Sequence, residues 1–344
     1  MDNEKKYSFK NDYSELAHPE VLKAISSAEY RQFDGYGLDA VTLKAADLIK
    51  AKISMASADV HFVGGGTHSN LIVISAALRP HEAVVAVESG HIFVHEAGAI
   101  EATGHKICTA KGYDGKLSPA DLNEILAAHE DEHMVKPRLV YISHTTECGT
   151  IYTKRELTEI SDLCRKNDLY LFLDGARLGA AINSPYSDLT YADIASLTDV
   201  FYIGGTKNGA LFGEAIVIST DELKQDFRYH LKQKGAMLAK GAAFGLQFDA
   251  LFSGNLYDEL ASHSNSMALK MAEGIDKLGY GFRFPPQTNL IIPVFPSAIA
   301  EKLHQLYDFY DWEALGDSTA VRMVTSWATP ESTVEQFLVD LRQL

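Results

Sequence analysis

Residues 169–177 read LYLFLDGAR, an apolar, strand-like run that ends in Asp174 and turns at Gly175 toward Arg177. Lys207 follows 33 positions after Asp174, in GGTKNG (204–209), directly behind a second apolar run, DVFYIG (199–204). Short β-branched or aromatic runs of this kind alternate with amphipathic stretches along the chain. That alternation is typical of a mainly parallel sheet covered by helices on both faces. The sequence therefore predicts an α/β fold with polar residues where its strands end.

Seven such runs are expected to form one large sheet. They cover residues 59–63, 83–88, 106–110, 138–143, 169–174, 199–204 and 214–219. Helix starts fall between them, because Thr153 and Glu156 have capping-box spacing and SPADLNEILAAH begins with serine and proline.

A long helical region over residues 220–278 follows the last of these runs. Beyond it, apolar runs at 281–284, 289–295 and 321–327, a helix over 298–310 and a final helix from Pro330 predict a smaller α+β unit. We therefore expect two domains: residues 1–235, with an N-terminal segment and the large α/β domain, and residues 236–344, the small C-terminal α+β domain.

The composition of the 344-residue chain narrows the function classes. Its 46 acidic against 31 basic residues give a formal net charge of −15, which argues against a nucleic-acid or anionic-membrane partner. Cys108, Cys148 and Cys164 have neither paired nor CxxC spacing, which favours a reducing cytoplasm. The first residues, MDNEKKYSFKND, have no apolar core of a signal peptide, and no run approaches the roughly 20 apolar residues of a membrane span. We expect a cytoplasmic protein.

Asp174, Arg177 and Lys207 together suit the chemistry of a pyridoxal 5'-phosphate (PLP) amino-acid enzyme. A lysine holds that cofactor as a Schiff base, and a buried aspartate pairs with the pyridinium nitrogen and makes the ring a better electron sink. The planar fork of an arginine suits a substrate carboxylate. Taken singly, each residue has a plainer interpretation as a helix cap, a surface ion pair or a solvated lysine. Because all three lie at the ends of two apolar runs, PLP binding is favoured over these plainer interpretations.

Residues 64–70 read GGGTHSN between the strand DVHFV and the apolar stretch NLIVISAAL. Glycines let the backbone approach an anion, and Thr67 offers a hydroxyl and the N–H groups of a helix start to a phosphate. Glycine-rich strand-to-helix turns are also common in other settings. The stretch lacks both GxGxxG spacing after a first strand and GxxxxGK[ST], which disfavours dinucleotide and ATP binding.

His91 follows the run AVVAVE and Ser89-Gly90, at a strand's carboxyl end, where open α/β sheets bind ligands. Its ring is placed to stack on a pyridine face or to transfer a proton. Glu96 follows His91 by five positions. Its carboxylate either orients a neighbouring group or is simply solvated. HTTE (144–147) ends another strand at the same rim. The histidines have no HExxH-like spacing, so we expect no metal.

The order of these segments resembles the threonine aldolase branch of the β-eliminating lyases. The resemblance spans nearly the whole chain through the segments NDYSELAHP (11–19), DGYGLD (34–39), GGGTHSN, SGHIFVHEAGAI (89–100), DGARLG (174–179), GGTKNG and VRMVTSW (321–327). It implies a fold-type-I, PLP-dependent transferase-like fold and retro-aldol cleavage of L-threonine or L-allo-threonine to glycine and acetaldehyde. It also implies a homo-oligomer with shared active sites, a dimer or a tetramer.

The resemblance also implies a role for each matching residue. Those roles are Lys207 as the Schiff-base lysine, Asp174 as the pyridinium partner, His91 stacked on the ring, Gly66 and Thr67 on the phosphate, Arg177 and Arg322 on the substrate carboxylate, and Asp12 and Tyr36 in segments that help form the site. Relatives carry a histidine near the substrate hydroxyl in the loop after the fifth strand, where this chain has Glu147 in HTTECGTIY (144–152). The base for the β-hydroxyl is then His91 or a group in the Glu147 loop.

Two other functions remain open at this stage. A PLP-dependent β-elimination from aromatic or sulfur amino acids, or a transamination, would use the same electron sink and differ in the group that faces Cβ. A non-catalytic PLP carrier would keep the fold, but the intact Lys207, Asp174, Arg177 and Arg322 argue against a decayed site.

Overall fold

The structure, a computed structural model, describes residues 6–344. Its strands, in chain order, are β1 (Tyr7–Ser8), β2 (Asp59–Val63), β3 (Glu82–Val87), β4 (Ile107–Ala110), β5 (Lys136–Ser143), β6 (Tyr170–Asp174), β7 (Val200–Gly204), β8 (Glu214–Ile218), β9 (Leu290–Ile291), β10 (Val294–Pro296), β11 (Tyr307–Asp308), β12 (Tyr310–Leu315) and β13 (Ser318–Val324).

The helices of the described residues follow the same order. They are α1 (Pro19–Ser26), α2 (Ala40–Lys52), α3 (Gly66–Ala77), α4 (His91–Val94), α5 (Pro119–Ala127), α6 (Lys154–Lys166), α7 (Leu178–Ile182), α8 (Tyr191–Leu197), α9 (Asp221–Lys224), α10 (Phe227–Gln233), α11 (Ala242–Phe252), α12 (Leu256–Lys277), α13 (Ser297–Leu306) and α14 (Glu331–Gln343). The expected capping box of Thr153 with Glu156 is present at the start of α6.

The large sheet has seven strands within the described residues, in the order β2-β8-β7-β6-β5-β3-β4. Strands β7, β6, β5, β3 and β4 pair in parallel, whereas β8 runs antiparallel to both β7 and β2. Every residue of β3, β7 and β8 is buried, as expected where helices cover both faces of a sheet. The predicted mainly parallel seven-stranded sheet is confirmed.

Side chains alternate between the two faces of this sheet. Val140 and Leu171 pack into one core, whereas Tyr141, Phe172 and Tyr202 pack into the other, which also contains α3. The alternation therefore places Tyr141 and Tyr202 on the face of the sheet that α3 covers, near Asp174 at the end of β6.

The C-terminal part of the chain forms a smaller antiparallel sheet of β10, β13 and β12, with β9 paired to β13. A separate core of residues such as Phe295, Val321 and Phe337 supports it. The N-terminal strand β1 joins this part, because Tyr7 pairs with Tyr307 in β11. The expected smaller α+β unit is present.

Two local predictions in this unit were wrong. The helix expected over 298–310 ends at Leu306, because the aromatic residues that follow pair with β1 and β13 instead. Residues 281–284 form no strand, and Phe282 makes only an isolated bridge to Pro293. For the helix, the partner Tyr7 is 300 positions from Tyr307, so local pattern carried no signal for this pairing.

Helix α12 contributes to both cores. Tyr257 and Leu260 pack into the core of the large sheet, whereas Met267 and Met271 pack into that of the smaller unit. The division between residues 235 and 236 stays a prediction. Among residues 6–344, no helix combines the length and apolar character needed to cross a membrane.

Candidate active site

Two glycines bring the ends of β6 and β7 together. A Cβ on Gly175 would lie 1.8 Å from the carbonyl oxygen of Tyr202, and one on Gly204 would lie 2.3 Å from that of Ala176. No side chain fits at either position, so the turn after β6 packs directly on β7. This close approach places Asp174 and the loop that carries Lys207 at one edge of the sheet.

The Asp174 carboxylate is buried and accepts four hydrogen bonds. Its Oδ2 accepts from the Tyr141 hydroxyl (2.6 Å) and from Asn70 Nδ2 (3.1 Å). Its Oδ1 accepts from the Tyr202 hydroxyl and from the N–H of Ala176 (3.0 Å). Burial alone would raise the pKa of Asp174, but the two tyrosine hydrogen bonds outweigh it and lower the pKa. The residue is therefore an ionised carboxylate at neutral pH.

Lys207 lines a small cavity together with Asp12, Arg177, Asn208 and Asn289. Burial, and then the positive charge of Arg177, lower the pKa of Lys207. A lowered pKa increases the fraction of neutral amine, which is the nucleophilic form.

Helix α3 begins without a side-chain cap. Gly65 holds the N-cap position with no side-chain hydrogen bond, and Cβ atoms on Gly64 or Gly65 would meet nothing within 4 Å. The first N–H groups of this helix thus have no side-chain cap, and the backbone before them is open, which suits an anion. His68 lies apart from that role, since its Nε2 contacts the Lys234 carbonyl at 3.0 Å.

His91 is the first residue of α4, directly beyond the carboxyl end of β3. Its Nδ1 lies 2.8 Å from Oε1 of Glu96, whose side chain is fully buried. Burial alone would lower the pKa of His91, but the hydrogen bond to Glu96, followed by the charges of Glu147 and Asp174, raises it. Glu96 is therefore buried against the His91 ring and is not a solvated surface carboxylate.

The fork of Arg177 is already occupied by a carboxylate. Its Nε donates to Asp12 Oδ2 (2.6 Å) and its Nη2 to Asp12 Oδ1 (3.0 Å), and Asn289 Nδ2 adds a third bond to Asp12 (2.9 Å). Burial would raise the pKa of Asp12, yet the charges of Arg177 and Lys207 lower it to about 2. Sequence reasoning predicted both residues in the site but not this ion pair between them.

Arg322 projects from β13 into the same region. Its Nη1 donates to the carbonyl of Lys10 (3.0 Å), and its remaining N–H groups make no hydrogen bond within residues 6–344. Burial, and then the charge of Arg177, lower the pKa of Arg322. Arg322 therefore has more unoccupied hydrogen-bond donors than Arg177 within the described residues.

Glu147 lies in the loop after β5 and faces these groups. Its carboxylate is within electrostatic reach of His91, Arg177, Lys207 and Arg322. Tyr36 is placed elsewhere: its carbonyl accepts from Arg228 (3.2 Å), and Lys232 lies 4.8 Å from its ring centroid. Within this chain Tyr36 is not brought beside Lys207.

These residues fit PLP. The uncapped start of α3 suits the phosphate, Asp174 the ring nitrogen, His91 the ring face and Lys207 the covalent attachment. Two further buried atoms, Asn70 Oδ1 and Glu96 Oε2, have no hydrogen-bond partner within the described residues. Sequence reasoning missed Asn70, Tyr141 and Tyr202. The signal for the tyrosines was their place near the ends of strands that flank β6.

Comparison with known proteins identifies the family of the chain. The family described as beta-eliminating lyase matches residues 17–296. A low specificity L-threonine aldolase from Pseudomonas sp. (strain NCIMB 10558) is 31% identical over 339 residues, 96% of each chain. Among solved structures, Leishmania major threonine aldolase is 48% identical with a TM-score of 0.96, over 98% of this chain and 99% of that one. Thermus thermophilus aspartate aminotransferase, at 13% identity, shares the fold with a TM-score of 0.75, over 98% and 91%.

The fold and the site together define a fold-type-I, PLP-dependent enzyme, as predicted. The chain belongs to the β-eliminating lyase family and, within it, to the threonine aldolases.

Proposed function

We propose that this enzyme uses PLP to cleave L-threonine or L-allo-threonine, reversibly, into glycine and acetaldehyde. The names of its relatives support this reaction. The observation that carries the proposal is the group of charged side chains around Lys207: a lysine of lowered pKa, the Arg322 guanidinium, which makes a single hydrogen bond within residues 6–344, and the Glu147 carboxylate within electrostatic reach of both. The guanidinium would bind the substrate carboxylate and the glutamate its β-hydroxyl, whereas the lysine would hold PLP.

The cofactor roles are those that the family resemblance implies, and the positions of the residues support them. Lys207 would hold PLP covalently, Asp174 would bind the ring nitrogen, His91 would cover the ring, and Gly66 and Thr67 would bind the phosphate. When bound, PLP supplies the electron sink that makes cleavage at the substrate α-carbon possible.

Arg322 would be the main group for the substrate carboxylate. Asp12 occupies two of the five N–H donors of Arg177, so Arg177 would contribute its two Nη1 hydrogens, the second Nη2 hydrogen and the positive charge of its guanidinium. A carboxylate held at two points fixes the orientation of the α-carbon, and such positioning supplies several kcal/mol of a reaction barrier. Asp12 would thereby act on the substrate through Arg177.

Glu147 would take the β-hydroxyl proton. His91 is a weaker candidate for this base, because Glu96 favours its protonated form, whereas Glu147 is partly exposed and within electrostatic reach of Lys207 and Arg322. As the proton moves to the carboxylate, the Cα–Cβ bond breaks and acetaldehyde leaves. A proton returned to Cα completes glycine.

Three variants test these roles. Lys207→Ala should abolish both turnover and the absorbance of lysine-bound PLP. Glu147→Gln should lower kcat for threonine by about a hundredfold or more, the usual contribution of a general base. Arg322→Lys should mainly raise KM. Glu101→Gln, an exposed carboxylate outside the cluster, is the matched control. Full threonine turnover in Lys207→Ala would refute the proposal.

We also propose a cytoplasmic homo-oligomer, a dimer or tetramer whose subunits share active sites. Large apolar side chains near the N-terminal segment are exposed, including Leu16 (72%), Leu38 (56%) and Leu43 (53%). A second copy would cover them and would bring Tyr36 toward a neighbouring site. Light scattering should give two or four chains per particle; a monomer at micromolar concentration would contradict this.

A further inference from the structure

Glu96 is a buried carboxylate whose only ion-pair partner within the described residues is His91. Its Oε1 contacts His91 Nδ1 (2.8 Å) and accepts from Asn70 Nδ2 (2.7 Å). An isolated charge is costly to bury, so a buried carboxylate needs a cation or several hydrogen bonds close by. The histidine supplies the cation only when its ring is protonated.

Asn70 links this pair to the carboxylate that would bind the ring nitrogen. The two hydrogens of its Nδ2 are divided between Glu96 Oε1 (2.7 Å) and Asp174 Oδ2 (3.1 Å). One amide thus joins two buried carboxylates, one beside the His91 ring and the other at the end of β6. The four residues form a continuous hydrogen-bonded row across the floor of the site.

The hydrogen bonds within this row do not satisfy all of its buried polar atoms. Asn70 Oδ1 and Glu96 Oε2 are buried and have no partner within residues 6–344. Unpaired buried polar atoms reduce stability, and in a native structure they call for an explanation outside stability. Holding His91 in one orientation and charge state would be such a function.

We propose that Glu96 and Asn70 are positioning residues: Glu96 holds His91 as an imidazolium with Nε2–H turned away from Glu96, and Asn70 couples that pair to Asp174. The side chains with the largest electrostatic effect on His91 are Glu96, Glu147 and Asp174, and the ring of His95 lies 5.5 Å away between centroids. Three of these four are carboxylates, so their summed field favours the cation. The raised pKa of His91 agrees with this arrangement.

The inference rests on the proposed function, because it assigns Asp174 and His91 to the PLP site. It predicts that the neutral isostere Glu96→Gln lowers the pKa of His91 and weakens PLP binding by about tenfold, the loss of one charge-assisted hydrogen bond. Asn70→Ala should weaken PLP binding to a similar extent without lowering the pKa of His91. Glu96→Asp should restore part of both properties.

The test uses histidine ring NMR for the pKa, with the His91→Phe spectrum to assign the signal, and fluorescence titration of the PLP-free enzyme for the affinity. Glu101→Gln is the exposed control, and urea unfolding identifies a variant that does not fold. If the His91 pKa is the same in wild type and in a folded Glu96→Gln, the proposal is overturned. Neither measurement uses an amino-acid substrate, so failure of the aldolase reaction is a separate result.

Discussion

Glu214, the first residue of β8, makes the stability of the fold depend on pH. It is buried beside the Lys207 loop, and its Oε2 accepts a hydrogen bond from the N–H of Gly205 (2.8 Å). Burial raises the pKa of Glu214 from an ordinary 4.5 to about 7, despite opposing hydrogen bonds from Thr206 and Gly205 and the charge of Lys207. At neutral pH this carboxyl group is therefore partly protonated in the folded enzyme.

The raised pKa of Glu214 reduces the free energy of unfolding at neutral and alkaline pH. Below about pH 4.5 the group is protonated in both the folded and unfolded chain, and above about pH 7 the fold must hold it ionised. The free energy of unfolding should therefore fall between these two pH values. The two pKa values differ by about 2.5, and each unit is worth about 1.4 kcal/mol, so the loss is about 3 kcal/mol.

Glu214→Gln tests this reasoning, because glutamine keeps an acceptor for Gly205 and carries no charge at any pH. At pH 8 the variant should be about 3 kcal/mol more stable than wild type, and near pH 4.5 the two should be alike. Urea unfolding of the PLP-free enzyme, followed by circular dichroism at one protein concentration, measures both. Glu222→Gln, an exposed neighbour, is the control. A stability difference that does not change between the two pH values would refute the argument.

Two further substitutions probe the packing around the site. Asp12→Asn leaves Arg177 buried without its charge partner and should lower stability by about 3–5 kcal/mol; an unchanged urea midpoint would contradict the buried ion pair. Gly175→Ala would place a methyl group against the backbone of Tyr202, so the protein should be largely insoluble or lose PLP, whereas Gly254→Ala, with open space around it, should behave as wild type in expression and PLP absorbance.

Much of the site could be predicted because parallel strands end at one edge of a sheet. Asp174 and Lys207 each follow an apolar run, and the runs are adjacent strands β6 and β7 in the structure. The same rule placed His91 and Glu147, since β3 and β5 end at this edge as well. The bounds of the seven strands of the large sheet followed from the apolar runs to within one or two residues.

What could not be predicted depends on contacts between distant segments. Asp12 and Arg177 are 165 positions apart, and nothing local to either residue indicates that they pair. The hydrogen bonds from Tyr141 and Tyr202 to Asp174 depend on the register of β5 and β7 and on which face of the sheet each tyrosine lies. Sequence spacing does not define either. The helix expected over 298–310 ended early for a similar reason, because Tyr307 pairs with Tyr7 at the other end of the chain.

Product analysis with the PLP-loaded enzyme tests the central claim most directly. L-Threonine, L-allo-threonine, L-tyrosine and L-cysteine would be supplied separately, with glycine, acetaldehyde, pyruvate and ammonia measured in each reaction. We predict glycine and acetaldehyde in equal amounts from at least one of the threonines, with no pyruvate or ammonia. Pyruvate and ammonia in place of glycine would instead assign the enzyme to β-elimination and contradict the retro-aldol mechanism.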